Sequence, residues 1–138
     1  KILRRMASTA PKLNVENVLN PADVKRLRTL ADDIFMDEKI EEYIVNLVDA
    51  TRNPGDYGLP ALAELIRYGG SPRATIFLAM AARGQALLEG RGYVTPQDVK
   101  SVAMDVLRHR VIITYEAEAE EKSSEDVVQE ILNTVKVP

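Results

Sequence analysis

Residues 69–90 read GGSPRATIFLAMAARGQALLEG, a stretch that contains a helix start, an apolar helical run and a glycine that ends the helix. Ser71 is a residue type that accepts hydrogen bonds from the free N–H groups at a helix start, and Pro72 suits the first helical position. Apolar residues then recur at the three- and four-residue spacing of a helix, at Ala74, Phe77, Leu78 and Ala81. The stretch therefore predicts a helix over residues 72–89.

The same start signal occurs twice more, at Asn20-Pro21 and at Thr95-Pro96. Asp23 and Asp98 follow three residues after these caps, where a carboxylate favours the positive end of a helix. Together with the apolar spacing elsewhere, these signals predict helices at 1–8, 21–32, 37–52, 72–89, 96–109 and 123–135. The predicted fold is all-α, a small bundle of about five to six helices.

Two segments do not follow the helical pattern. Residues 111–115 form the β-branched run of the chain, which predicts one short extended segment there. Residues 53–70 stay open, since Leu62, Leu65 and Ile66 could form a short helix closed by the glycines that follow.

Composition excludes several kinds of chemistry. The 138 residues suit one domain, with 46% apolar and 28% charged residues. The absence of cysteine excludes disulfides, thiolate metal sites and a cysteine nucleophile, and a single histidine excludes a multi-histidine metal site, so no metal site is predicted. No run approaches the ~20 apolar residues of a membrane span, and no signal peptide is predicted. Because the chain begins at Lys1 in an apparent helix, we expect a piece of a longer protein.

Charge is distributed unevenly around a net value of −3. Residues 1–12 carry four cations and no acid, which is typical of a helix end cut from its context. Residues 116–130 carry seven acids against Lys122, which indicates a solvated face. A sequence pI near 5.3 and few aromatic residues argue against a nucleic-acid partner.

Gly69-Gly70-Ser71-Pro72-Arg73 is the segment that could carry chemistry. Arg73 would lie in the first turn of its helix, where the positive end of the helix dipole disfavours a cation. Two glycines before it allow positive φ angles and close approach of a ligand. Exposed N–H groups, the dipole and a guanidinium then converge as an anion site that suits phosphate. The alternative is that Arg73 points to solvent or pairs with Glu64.

A second cationic cluster, Arg108-His109-Arg110, ends a predicted helix, where cations stabilise the carbonyl end. Its alternative role is contact with a neighbouring domain or a nucleotide. The chain contains no G-x-x-x-x-G-K-[ST] loop, so by itself it cannot hold ATP phosphates in the usual way. It also contains no G-x-S-x-G nucleophile elbow.

Four motifs in order resemble the C-terminal helical lid of the MoxR-type AAA+ ATPases, and the match spans most of residues 1–138. They are residues 43–52 (YIVNLVDATR), 70–74 (GSPRA), 92–99 (GYVTPQDV) and 106–110 (VLRHR). Ile2-Leu3-Arg4-Arg5 also resembles the first lid helix of that family.

The resemblance implies roles for particular residues. It makes Arg73 the sensor-2 residue, which reaches from the lid to the γ-phosphate of ATP, with Gly70 and Ser71 beside it as nucleotide-binding residues. The nucleotide-binding core, with its Walker loops, is absent from the chain. ATP and Mg²⁺ are thus implied for the full-length protein, and none is expected on this chain, which should be inactive alone.

The resemblance also implies partners. These are the AAA+ core of the same protein and the neighbouring subunits of a ring, which is expected to be a hexamer. The ring is expected to lie in the cytoplasm and to remodel or activate client proteins, which are unidentified. Two other interpretations remain: a stand-alone helical protein-interaction module, and a helical DNA-binding domain.

Overall fold

A computed structural model describes residue 7 and residues 16–138. The expected helix at 1–8, its family motif and the basic start fall outside the described residues, apart from Ala7. Within residues 16–138 the helices are α1 Pro21–Asp32, α2 Glu38–Ala50, α3 Leu62–Leu65, α4 Arg73–Leu88, α5 Pro96–Leu107, α6 Tyr115–Ala119 and α7 Ser124–Thr134. A 3₁₀ turn spans Pro54–Tyr57, and two short strands are β1 Ile66–Tyr68 and β2 Ile112–Ile113. The predicted all-α bundle is confirmed.

Helix caps explain where several helices begin. The side chains of Asn20 and Thr95 accept hydrogen bonds from backbone N–H groups of the first turn. The carboxylates of Asp23 and Asp98 accept the backbone N–H groups of these caps, as the sequence predicts. Ser123 forms a third such box at the start of α7. Each of these contacts joins residues no more than three positions apart in the chain.

The start of α4 differs from its prediction. The cap position is held by Pro72, whose φ of −54° and ψ of −22° are already helical, and no side chain caps the helix there. The Ser71 carbonyl oxygen, rather than its hydroxyl, accepts the N–H of Ala74 at 2.8 Å. The prediction of a Ser71 side-chain cap is therefore wrong, because the backbone carbonyl of Ser71 takes the N–H that a capping side chain would accept.

The core lies between α2, α4, α5 and α7. Helix α4 packs most extensively on α5 and also contacts α1 and α2, while α7 packs on α2 and α5. Fully buried side chains from these helices include Leu47, Leu78, Val99, Leu107 and Ile131. In contrast, α1 buries none of its residues and rests on the outside of α4.

The extended segment is confirmed at β2, and its partner is a strand that the sequence did not predict. Strands β1 and β2 are antiparallel, with Ile66 opposite Ile113. The Thr114 N–H donates to the Leu65 carbonyl at 3.0 Å, and its hydroxyl donates to the Glu64 carbonyl at 3.1 Å. Thr114 also caps α6, a helix that the sequence analysis missed. The short helix left open within residues 53–70 is present as α3 over Leu62–Leu65, but Ile66 belongs to β1, so a strand and not the glycines follows the helix.

Two absences concern only residues 16–138. No helix there is long and apolar enough to cross a membrane. In the same range, no group of three or more histidine, aspartate or glutamate side chains could hold a metal ion.

An ion pair fixes the turn between α4 and α5. The Arg91 guanidinium binds both carboxylate oxygens of Asp98, one at 2.8 Å, and Asp98 also accepts the N–H and the hydroxyl of Thr95. Asp98 is only 3% exposed. The hydrogen bonds from Arg91, followed by those from Thr95, lower the pKa of Asp98 from 3.8 to about 2.

This ion pair predicts a pH dependence of stability. A carboxylate with a lowered folded-state pKa stabilises the fold above its unfolded pKa, and the gain is lost as pH falls from about 4 toward about 2. We expect Asp98→Asn to lower the free energy of unfolding by roughly 2 kcal/mol at pH 7. Urea titrations of both proteins from pH 7 to pH 2 measure this difference. A difference that stays constant down to pH 2 would contradict the assignment.

Candidate functional site

Arg73 is the first residue of α4, and its side chain is exposed. The first turn of α4 contains no acidic residue. The ion pairs among the described residues are Arg91–Asp98 and Arg108–Asp105, so Arg73 is not paired with Glu64 or with another described acid. The structure therefore has a cation at the positive end of this helix, as predicted.

The two glycines before Arg73 serve a different purpose from the predicted one. Positive φ angles occur at Gly58 and Gly90 among the described glycines, and not at Gly69 or Gly70. A Cβ at Gly69 would overlap the carbonyl oxygen of Thr51 and come within 2.8 Å of Arg52 Cγ. The expectation of positive φ is wrong: glycine is needed here because the chain passes against the end of α2.

A buried threonine joins the end of α2 to the segment before α4. The Gly70 N–H donates to Thr51 Oγ1 at 2.8 Å, and the Thr51 hydroxyl donates to the Val48 carbonyl at 2.6 Å. Thr51 is 0% exposed and Gly70 is buried. We call these three residues the Thr51 bridge. The Gly70 amide is occupied inside the domain and lies behind the surface on which Arg73 stands.

Ser71 and Arg73 line one open surface cleft at the beginning of α4, together with Pro72, Thr75 and Ile76. Ser71 is exposed, and the Thr75 hydroxyl donates to the Pro72 carbonyl at 2.6 Å. Of the three predicted nucleotide-binding residues, the structure thus brings Ser71 and Arg73 together on the surface and places Gly70 beneath them.

The two arginines of the second cationic cluster, Arg108 and Arg110, contact different partners. Arg110 donates to the Val106 carbonyl at 2.9 Å, and its guanidinium carbon lies 4.8 Å from the centre of the Phe77 ring. Arg108 pairs with Asp105 at 3.1 Å. The Arg110 contacts agree with the C-terminal cap interpretation.

Sequence reasoning missed Thr51 as a contributor to this region. Its partner Gly70 is 19 residues away, so no local pattern pairs them. The available signal was its place in the YIVNLVDATR motif, at residues 43–52.

A comparison with protein families decides the identity. The model of the AAA lid domain family matches residues 61–131, which include the Arg73 cleft. The chain belongs to the AAA lid family. The lid begins its matched region just before α3 and ends it within α7.

Relatives of this lid specify its type. It is 41% identical over 138 residues to the protein named Chaperone MoxR1 of Mycobacterium tuberculosis, covering 100% of the lid chain and 36% of that protein. It is 36% identical over 126 residues to Protein MoxR of Methylorubrum extorquens, covering 84% of the chain and 36% of that protein. The resemblance to the lid of MoxR-type AAA+ ATPases is thereby confirmed, for a chain that spans little more than a third of these relatives.

A crystal structure of a protein from Cytophaga hutchinsonii has the same fold, with a TM-score of 0.93 and 39% sequence identity. The match covers 99% of the lid chain and 42% of the Cytophaga chain. The helical arrangement around Arg73 therefore occurs within a longer solved protein.

Proposed function

We propose that this lid supplies Arg73 to the phosphates of an ATP molecule held by an AAA+ core in the same protein. The observation that supports it most is the exposed Arg73 guanidinium, unpaired with described acids, at the positive end of α4. The family resemblance gives the matching arginine the sensor-2 role, in which it reaches the γ-phosphate. Mg²⁺ would be held by the core, together with the β- and γ-phosphates.

The chemistry of a guanidinium suits this role. Its planar group of N–H donors can bind two phosphate oxygens at once, and it stays charged at every physiological pH. Negative charge on the transferring phosphoryl group would be stabilised by a donor that is already in place. Ser71 would add a hydroxyl at the edge of the same cleft.

The proposed contact would also couple the nucleotide to the position of the lid. ATP offers Arg73 a γ-phosphate and ADP does not, so the two nucleotides would favour different orientations of lid and core. In a ring of such subunits, expected to be a hexamer, this movement would be passed to neighbours and to client proteins. One relative is named a chaperone, and we extend remodelling or activation of partner proteins in the cytoplasm to this protein as part of the proposal.

The chain alone should lack activity. The Walker loops that hold ATP are not in its sequence, and one arginine with one helix end replaces only part of a nucleotide pocket. We expect the 138-residue lid to bind ATP weakly at best and to hydrolyse none.

A stand-alone interaction module remains the second candidate function. It is favoured by exposed apolar side chains on α1 and α4, namely Leu27, Leu30, Ile76, Phe77 and Met80. Such a module would have no need for Arg73 in nucleotide binding, which makes the two candidates separable.

The discriminating experiment compares two nucleotides. In the full-length protein, we expect Arg73→Ala to weaken binding of ATP about tenfold more than binding of ADP, since a charged hydrogen bond to the γ-phosphate is lost. Isothermal titration calorimetry with both nucleotides measures the dissociation constants. Arg67→Ala is the matched control, because Arg67 is an exposed arginine that lies 5.4 Å from the Tyr68 ring and outside the cleft. Equal losses for both nucleotides, or no loss, would remove Arg73 from γ-phosphate recognition.

A further inference from the structure

The Thr51 bridge is the feature that connects α2 to the arginine at the start of α4. The Thr51 hydroxyl is both acceptor and donor: it accepts the Gly70 N–H at 2.8 Å and donates to the Val48 carbonyl at 2.6 Å. Because the single hydroxyl proton is committed to Val48, the lone pair that faces Gly70 has a fixed direction. Thr51 is fully buried, and its hydroxyl is used both as donor and as acceptor. It therefore holds the backbone at Gly70 at a fixed distance from α2.

The chain between the bridge and Arg73 has little freedom. Only Ser71 and Pro72 separate Gly70 from Arg73. The ring of Pro72 restricts its φ angle, and the Ser71 carbonyl is held by the Ala74 N–H at 2.8 Å. A displacement at Gly70 would therefore be carried directly to the first turn of α4.

Close packing supports the same connection. A Cβ at Gly70 would lie 3.4 Å from Thr51 Oγ1, 3.6 Å from Val48 Cγ1 and 3.6 Å from Ala74 Cβ. At Gly69 a Cβ would overlap the Thr51 carbonyl oxygen. The backbone before α4 thus lies directly against the last turn of α2, with no space for a side chain at Gly69.

We infer that Thr51 is a positioning residue for Arg73: it fixes the start of α4 against α2, so that the guanidinium is already aimed when nucleotide arrives. The inference rests on the proposed function of Arg73. Thr51 itself is fully buried, so it would not contact the nucleotide. Its effect on catalysis would come from geometry, since a misplacement of about 1 Å in a catalytic group can cost roughly a hundredfold in rate.

The test replaces Thr51 in the full-length ATPase. Thr51→Val keeps the shape and removes both hydrogen bonds, whereas Thr51→Ser keeps the hydroxyl. We expect Thr51→Val to lower kcat about tenfold or more with a smaller change in KM, and Thr51→Ser to restore most of kcat. Thr29→Val is the matched control, because Thr29 is exposed on α1 and its hydroxyl bonds only to the Lys25 carbonyl within that helix.

A double substitution separates positioning from a general loss of stability. If Thr51 acts through Arg73, Thr51→Val should cause no further loss of turnover in a protein that already carries Arg73→Ala. The same fractional loss in both backgrounds would overturn the inference. So would normal kcat in Thr51→Val when Arg73→Ala is impaired. If Arg73→Ala itself leaves turnover unchanged, the proposed function fails first, and the inference fails with it.

A second pair of variants covers the case in which Thr51→Val does not fold. Gly69→Ala pushes the chain away from α2 and keeps the threonine, so it should also lower kcat. Gly84→Ala lies within α4 where a Cβ meets nothing within 4 Å, and it should leave kcat unchanged. Thermal unfolding of each variant confirms that the folded protein is being assayed, and a folded Gly69→Ala protein with normal kcat would overturn the inference.

Discussion

If the proposed function holds, Arg73→Ala in the full-length protein is expected to reduce ATP turnover by about a hundredfold or more. This is the scale for removing a preorganised donor to transition-state charge. The reason is local. Arg73 is exposed at the first turn of α4, and no acidic residue among residues 16–138 pairs with it, so its charge would be available to an anion in the cleft. Steady-state hydrolysis assays at saturating ATP measure the change.

The fold should not suffer from this substitution. Arg73 makes no ion pair with the described residues, and removing a cation from the positive end of a helix relieves an unfavourable interaction of ~0.3–1 kcal/mol. Arg73→Lys should recover only part of the turnover, because an ammonium keeps the charge and lacks the two-pronged donor geometry. Arg67→Ala again serves as the control. Wild-type turnover in Arg73→Ala would remove this residue from the reaction.

Leu78→Ala is expected to lower the free energy of unfolding by about 2–5 kcal/mol, the range for deleting a fully buried leucine side chain. Leu78 is 0% exposed in the middle of α4, on the face that packs into the core. Removing its side chain leaves a cavity beneath the helix that carries Arg73. Because small domains are stabilised by only ~5–15 kcal/mol, this single change would use a large part of the total.

Leu88→Ala provides the matched control in the same helix. Leu88 is 84% exposed, so truncating it should change the free energy of unfolding by less than about 0.5 kcal/mol. Urea denaturation of the 138-residue chain, followed by circular dichroism at 222 nm in the far-ultraviolet, compares the two variants with the parent. Similar losses for Leu78→Ala and Leu88→Ala would show that α4 is not held by the face the structure buries.

Local signals in the sequence predicted the helices well. The caps Asn20 and Thr95 act through residues three positions away, so their roles can be read from neighbours in the chain. The apolar spacing in α2 and α5 likewise marks the faces that are buried, at Tyr43, Leu47, Val99 and Leu107 among others.

Three of the errors involve partners that are distant in sequence, whereas the missed helix α6 begins at an adjacent cap, Thr114. Ser71 is a residue type that often caps helices, but here its side chain caps nothing. The Gly70 N–H before it binds Thr51, and the backbone is already helical at Pro72. The sequence predicts that Gly69 serves through its freedom in φ, whereas the neighbouring turn of α2 requires its lack of a side chain. Strand β1 became a strand because β2, more than 40 residues later, pairs with it.

The candidate site likewise has one part that local sequence predicts and one part that depends on tertiary contacts. The placement of Arg73 at a helix start follows from Ser71-Pro72, a signal within the sequence. That Gly70 is turned inward follows from tertiary packing, which the sequence pattern does not contain. Residues that hold a site in place are therefore harder to find than residues that present charge.

The outer helix α1 has a consequence for how the domain moves. None of its residues is buried, so its detachment from α4 exposes far less new apolar surface than the opening of α5 would. Local opening should thus cost little for α1 and approach the cost of global unfolding for α4 and α5. Amide hydrogen exchange would then divide the domain into a quickly exchanging outer helix and a slowly exchanging centre, with Arg73 attached to the slow part.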